Sequence, residues 1–203
     1  MIFSSREIIV SVQILIARTE ADILRAFEQL SKADALGCDT ETSGFNSRSG
    51  KLFSIQFSDG DFNVLVPISE GVAIDGLASI LASQKIIKIF HNAKFDLEFL
   101  HDAGHTVNNV FDTMVAEKVI TKGAQQSSSL AETLYRYFAV DLDKSQRAKF
   151  NRNWDGVWTD ELVNYALSDV VHLPDLMRKQ KAWLEKLGLT EIYSEQIRKA
   201  VEG

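Results

Sequence analysis

Cysteine is all but missing. Cys38 stands alone among 203 residues, so no internal disulfide can form and no thiolate zinc cluster is available. Two prolines and eleven glycines are too few for a collagen-like or low-complexity chain. Long apolar runs are missing as well: stretches such as 14–17 and 137–140 fall far short of the ~20 residues that span a bilayer. Near the start, Arg6 and Glu7 interrupt any signal-peptide hydrophobic region. An excess of positive charge is also lacking, since 22 Lys and Arg face 28 Asp and Glu for a net of −6. That balance argues against a protein that coats nucleic acid regardless of sequence. It does not exclude a site built from carboxylates around divalent metal, because such a site adds negative charge of its own.

What is present is a chain with 45% hydrophobic residues, enough to bury a core and to exclude intrinsic disorder. We expect one soluble, cytoplasmic domain over residues 1–203 with no membrane partner; oligomeric state leaves no trace in the sequence. Apolar patterning gives the order of elements. Strands are expected at 7–17, 35–41, 52–58, 62–68, 86–90 and near Val110, with an Asp59-Gly60-Asp61 turn joining the third and fourth. Thr19 followed by Asp22 reads as a capping box opening a helix to about Leu30. Further helices are expected at 75–82 and from Asn92 to about Ala103, then over most of the remaining chain. Pro174 either kinks a long helix there or opens a new one. The fold class is α/β: a mixed sheet of five or six strands flanked by helices, with a helical C-terminal half.

Five side chains suggest chemistry. Side chains alternate along a strand, so Asp39 and Glu41 share a face; two neighbouring acids repel unless a cation or solvent separates them. The pair alone is weak, since a chain this acidic supplies Asp-x-Glu by chance and two solvated strand-end acids explain it. Asp96 falls in the first turns of a helix that follows a buried strand, where ligand sites of α/β folds gather. An acid there also suits the helix dipole without any further role. Tyr165 and Asp169 lie four apart on a helix and so share a face, although Tyr165 could equally be a core residue. Taken together and in this order, the three elements carry more information than each alone.

The ordered set resembles the three motifs of the tyrosine subtype of the DEDD exonuclease superfamily. The matching stretches are Cys38-Asp39-Thr40-Glu41-Thr42, Asn92-Ala93-Lys94-Phe95-Asp96 and Tyr165-Ala166-Leu167-Ser168-Asp169. Similarity extends to Ser54-Ile55-Gln56-Phe57, Phe111-Asp112-Thr113-Met114 and Val140-Asp141-Leu142-Asp143-Lys144-Ser145. It looks like the catalytic domain of ribonuclease D and the proofreading domain of family A DNA polymerases. The resemblance implies a ribonuclease H-like fold. It also implies hydrolysis of RNA or DNA from the 3′ end, single-stranded or overhanging, into nucleoside 5′-monophosphates, as in RNA processing. Two divalent cations, Mg²⁺ or Mn²⁺, are implied as cofactors: Asp39, Glu41 and Asp169 would hold one, with Asp39 shared and Asp96 supporting the second. Tyr165 would orient the attacking water, and Thr42 and Asn92 would contact the terminal nucleotide. The segment from Ser145 to Trp154 is longer than the family's, and Arg152-Asn153 replaces the Ser-Asp that normally precedes the tryptophan. No room remains for the nucleic-acid-binding domain of full ribonuclease D or for a polymerase, so a free-standing enzyme and an excised domain are both consistent.

Lys144, Arg147, Lys149 and Arg152 fall within nine residues without an acid, beside Phe150 and Trp154. Phosphate contact with base stacking is one reading, with Lys144 and Arg147 the candidate substrate contacts; a solvated loop with two partly buried rings is the other. The four histidines read as ordinary residues and Cys38 as a small core residue. Two other functions compete with an exonuclease. A binding protein that had lost hydrolysis would have replaced a carboxylate, and a phosphohydrolase for small nucleotides would need no oligonucleotide.

Overall fold

The structure is a computed structural model that describes residues 13–202. Strand β1 spans Gln13–Ile16, and the rest of the strand expected from residue 7 lies outside the described residues. Helix α1 (Glu20–Leu30) opens at the capping box: the Asp22 N–H donates to Thr19 Oγ1, and the Asp22 carboxylate accepts the Thr19 N–H at 3.0 Å. Strands β2 (Ala35–Thr42), β3 (Leu52–Ser58) and β4 (Phe62–Val66) follow. The turn between the last two needs Gly60, whose φ is +107°. Strand β4 is shorter than expected. Pro67 has no N–H to continue the ladder, and Ile68–Glu70 coils into a single 3-10 turn instead.

Helix α2 (Asp75–Ala82), β5 (Ile87–Phe90), α3 (Ala93–Asp102), β6 (Val110–Asp112) and α4 (Thr113–Ile120) complete the alternating half. Then come α5 (Leu130–Phe138), α6 (Asp160–Ser168), α7 (Leu173–Lys186) and α8 (Thr190–Glu202). Pro174 sits in the first turn of α7, where its missing N–H costs nothing, so it opens a helix rather than kinking one.

The sheet has six strands in the order β1-β4-β3-β2-β5-β6. β3 runs antiparallel to both neighbours, and the other pairings are parallel. This mixed sheet with helices on both faces is the ribonuclease H-like arrangement. Alternation along β2 decides what faces where. Leu36 and Cys38 enter a core shared with Ile23, Leu30 and Leu77 of α1 and α2. The intervening positions, Gly37, Asp39 and Glu41, face the opposite side, where α6 and α7 pack. Among the described residues, no helix is long and apolar enough to cross a membrane.

Candidate active site

The acid pair of β2 meets a third carboxylate because the chain after α6 comes unusually close to the strand. A Cβ added to Gly37 would stand 2.4 Å from the carbonyl oxygen of Val170, so only glycine admits this approach. Asp169, the residue before Val170, is thereby brought to Asp39 and Glu41. One carboxylate oxygen from each lies within 4.8 Å of the other two. Asp96, in the first turn of α3, is 2% exposed, and its Oδ1 accepts a hydrogen bond from Thr40 Oγ1 at 2.7 Å. Its charge is felt by Asp39, which ties it electrically to the same cluster.

All four carboxyls have pKa values above the ordinary range. Burial is the main cause throughout. For Asp39 the nearby charges of Asp96, Asp169 and Glu41 add to it, and Glu41 is pushed up to about 8 by burial and Asp169. Asp96 reaches about 7 even though the Thr40 hydroxyl pulls it back. Like charges packed into a poorly solvated place are costly unless a cation balances them. Lys144 supplies part of that balance: its Nζ donates to Asp169 Oδ1 at 2.5 Å and sits 5.6 Å from the centre of the Tyr165 ring. One ammonium against four acids leaves negative charge to spare. An all-oxygen set of this kind fits hard divalent ions such as Mg²⁺ or Mn²⁺.

Tyr165 joins a packed ring to a protonated hydroxyl. Its ring is 7% exposed and packs against Phe150 with centroids 5.9 Å apart. Burial, then Glu41 and Asp169, hold its phenol above the usual tyrosine range, so it is a neutral hydrogen-bonding group at pH 7. Thr42 donates to the Gly44 carbonyl at 2.9 Å, just past the register shift that follows Glu41. Asn92 is exposed and left-handed (φ 73°), the conformation asparagine tolerates best among side chains with a Cβ.

Residues 144–154 separate into two parts. Arg147, Lys149 and Arg152 are exposed, and the charge of Arg147 reaches Glu41 and Asp169. Phe150 is buried and Trp154 half-buried, in a ring cluster with Phe53 and Trp158. The two rings are thus committed to packing, and the cations remain at the surface. His91 pairs with Thr113 Oγ1 at 2.9 Å, and His172 stacks on Phe138.

Residues 14–184 match the 3′-5′ exonuclease family. This chain belongs to it. Ribonuclease D of Bartonella henselae is 30% identical over 186 residues, a match covering 90% of this chain and 44% of that protein. DNA polymerase I of Aquifex aeolicus is 27% identical over 169 residues, 83% of this chain and 27% of the polymerase. The structure of Brucella melitensis NrnC with bound Mg²⁺ superposes with a TM-score of 0.76 at 27% identity, covering 86% of this chain and 85% of that one. The chain spans less than half the length of the ribonuclease D relatives it matches.

Three residues outside the carboxylate cluster escape a reading of motifs alone. Phe45 is 82% exposed on the loop after β2, edge-on to Phe95 at 6.2 Å, and borders a groove of about 880 Å³ that Arg48, Lys94, Glu98 and Asp102 also line. A phenylalanine three residues beyond Thr42 is its only mark in the sequence. Gly37 and Asp112 are the others: the first acts through an absence of side chain, and the second lies in a similar stretch with no acid partner to single it out.

Proposed function

We propose that residues 1–203 form a single exonuclease domain that removes nucleoside 5′-monophosphates from the 3′ end of single-stranded or 3′-overhanging RNA or DNA. The observation that carries this reading is the convergence of Asp39, Glu41 and Asp169 within 4.8 Å, with the neutral Tyr165 phenol beside them. Asp39, Glu41 and Asp169 would hold a divalent cation, and Asp96, with Asp39, would help to hold a second. Such ions supply a nucleophile at neutral pH and offset charge on the leaving oxygen.

The chain's own groups do the rest. Tyr165 holds the attacking water by its hydroxyl; at a pKa above the tyrosine norm it orients rather than deprotonates. Attack forms a new P–O bond and breaks the bond from phosphorus to the 3′ oxygen of the preceding nucleotide. The shortened strand keeps a 3′ hydroxyl, and the released nucleotide carries the 5′ phosphate. Lys144, which reaches Asp169 at the edge of the cluster, would contact the scissile phosphate, and Arg147 the next phosphate. Thr42 and Asn92 contact the terminal nucleotide. Phe45 offers a face on which any base can stack, which suits removal without regard to sequence.

Matched RNA and DNA oligomers, blocked at one end or the other, test the reading. A 3′ phosphate or 3′ conjugate should arrest shortening while a 5′ block changes nothing. The ratio of the two rates gives the preferred sugar. Internal cuts in a circular single strand, or hydrolysis confined to mononucleotide esters, would overturn it.

A further inference from the structure

Asp112 lies outside the carboxylate cluster, yet it is densely bonded next to it. Its side chain is buried, and it accepts four backbone N–H groups. Oδ1 takes those of Asn92 at 3.2 Å, Met114 at 2.8 Å and Val115 at 3.1 Å; Oδ2 takes that of Ala93 at 2.8 Å. Two of these donors open α3 and two open α4. The first N–H groups of a helix have no partner within it, and the positive end of the helix dipole favours an anion. One carboxylate thus joins two helix starts. Asp112 is itself anchored: its backbone N–H donates to the Tyr193 hydroxyl at 3.0 Å, so α8 holds the residue from behind.

The joint matters because of where it falls. Phe90 of β5 pairs with Asp112 of β6, and the chain then turns through the left-handed Asn92 into α3. Asp96 comes four residues later, on the first turn. Among the described residues its carboxylate has one side-chain hydrogen-bond partner, Thr40, and its height over the sheet follows from where α3 begins. We propose that Asp112 is the positioning residue for Asp96, fixing the start of α3 and with it the place of that carboxylate at the second cation. This rests on the exonuclease reading above.

The uneven division of bonds makes Asp112→Asn a selective probe. An amide keeps one acceptor oxygen. At the Oδ1 position it retains three bonds, and the amide nitrogen then faces the Ala93 N–H, donor against donor. The cap of α4 survives, while α3 loses the shorter of its two bonds to the carboxylate and keeps only the 3.2 Å bond from Asn92.

The experiment has two readouts. Residue-resolved hydrogen exchange should show faster exchange at Ala93 in Asp112→Asn, with Met114 and Val115 still protected. Titration with Mn²⁺ in the absence of nucleic acid should show the weaker of two binding events lowered by roughly 10- to 100-fold, the usual cost of losing a group that orients a metal ligand. The Mg²⁺ concentration for half-maximal rate should rise in parallel, with most of the rate recovered at saturating metal. Thr19→Ala is the control: it strips the cap of α1 on the opposite face of the sheet and should lower Tm without moving metal affinity. If Asp112→Asn does not fold, Tyr193→Phe loosens the same residue from behind and should shift metal affinity the same way, less strongly. Unchanged Mn²⁺ binding despite lost Ala93 protection would overturn the proposal, as would a rate lowered equally at every metal concentration. Should the wild-type protein release no nucleotide, the exonuclease reading falls, while exchange and Mn²⁺ binding still decide the role of Asp112.

Discussion

At the residue scale, the proposed function gives Tyr165 two roles in one side chain, packing and chemistry. The ring fills space against Phe150, and burial, with the charges of Glu41 and Asp169, keeps the hydroxyl protonated. Tyr165→Phe preserves the first role and removes the second. Folding and Mn²⁺ binding should persist, while the single-turnover rate of bound substrate should fall on the order of 10- to 1,000-fold, the range for losing one hydrogen bond made in the transition state. Equal rates would leave Tyr165 a packing residue. Four of the five motif residues stand out by two periodicities, alternation for Asp39 with Glu41 and the helical repeat for Tyr165 with Asp169, while Asp96 stands out only by its place at a helix start after a buried strand. Asp112 and Phe45 do not, since the bonds of the one and the exposure of the other arise only from contacts distant in sequence.

Among the elements, the junction of α6 and α7 against β2 determines whether the acids meet. Gly37→Ala would set a methyl 2.4 Å from the Val170 carbonyl, so the junction must shift and carry Asp169 with it. Stability should fall by about 1–3 kcal/mol, as overpacked sites generally lose. Mn²⁺ affinity should fall as well, because the displaced ligand is one of three. Urea unfolding and Mn²⁺ titration of the same preparation check both; wild-type affinity in a destabilised Gly37→Ala variant would separate the glycine from the site. Element boundaries could be read where local chemistry marks them, as at the Thr19 cap and at Pro174. The end of β4 at Pro67 was missed because Ile68 prolongs the apolar run beyond the last ladder bond. The strand order was beyond reach, since placing β1 beside β4 and β2 beside β5 is a matter of long-range pairing that no local pattern encodes.

For the whole molecule, crowding acids into one place ties stability to pH and to metal. A carboxyl whose pKa rises on folding contributes stability that is complete below its unfolded value, about 4. That contribution is lost as pH climbs through the folded value. With Glu41 near 8 and Asp96 near 7, the metal-free protein should lose stability across the interval from about pH 4 to 8. Divalent cations bind the ionised form and stabilise by mass action, so Mg²⁺ should raise Tm more at pH 8 than at pH 6. Thermal melts in Mg²⁺ and in EDTA at both pH values test this, and an equal gain at each would count against a carboxylate site. The most direct test of the whole account replaces one atom at its centre. Asp39→Asn should fold, keep or raise the metal-free Tm by relieving repulsion, and release no nucleoside 5′-monophosphate from a 3′ end in Mg²⁺. Near-normal Mg²⁺-dependent release by the purified Asp39→Asn protein would contradict it.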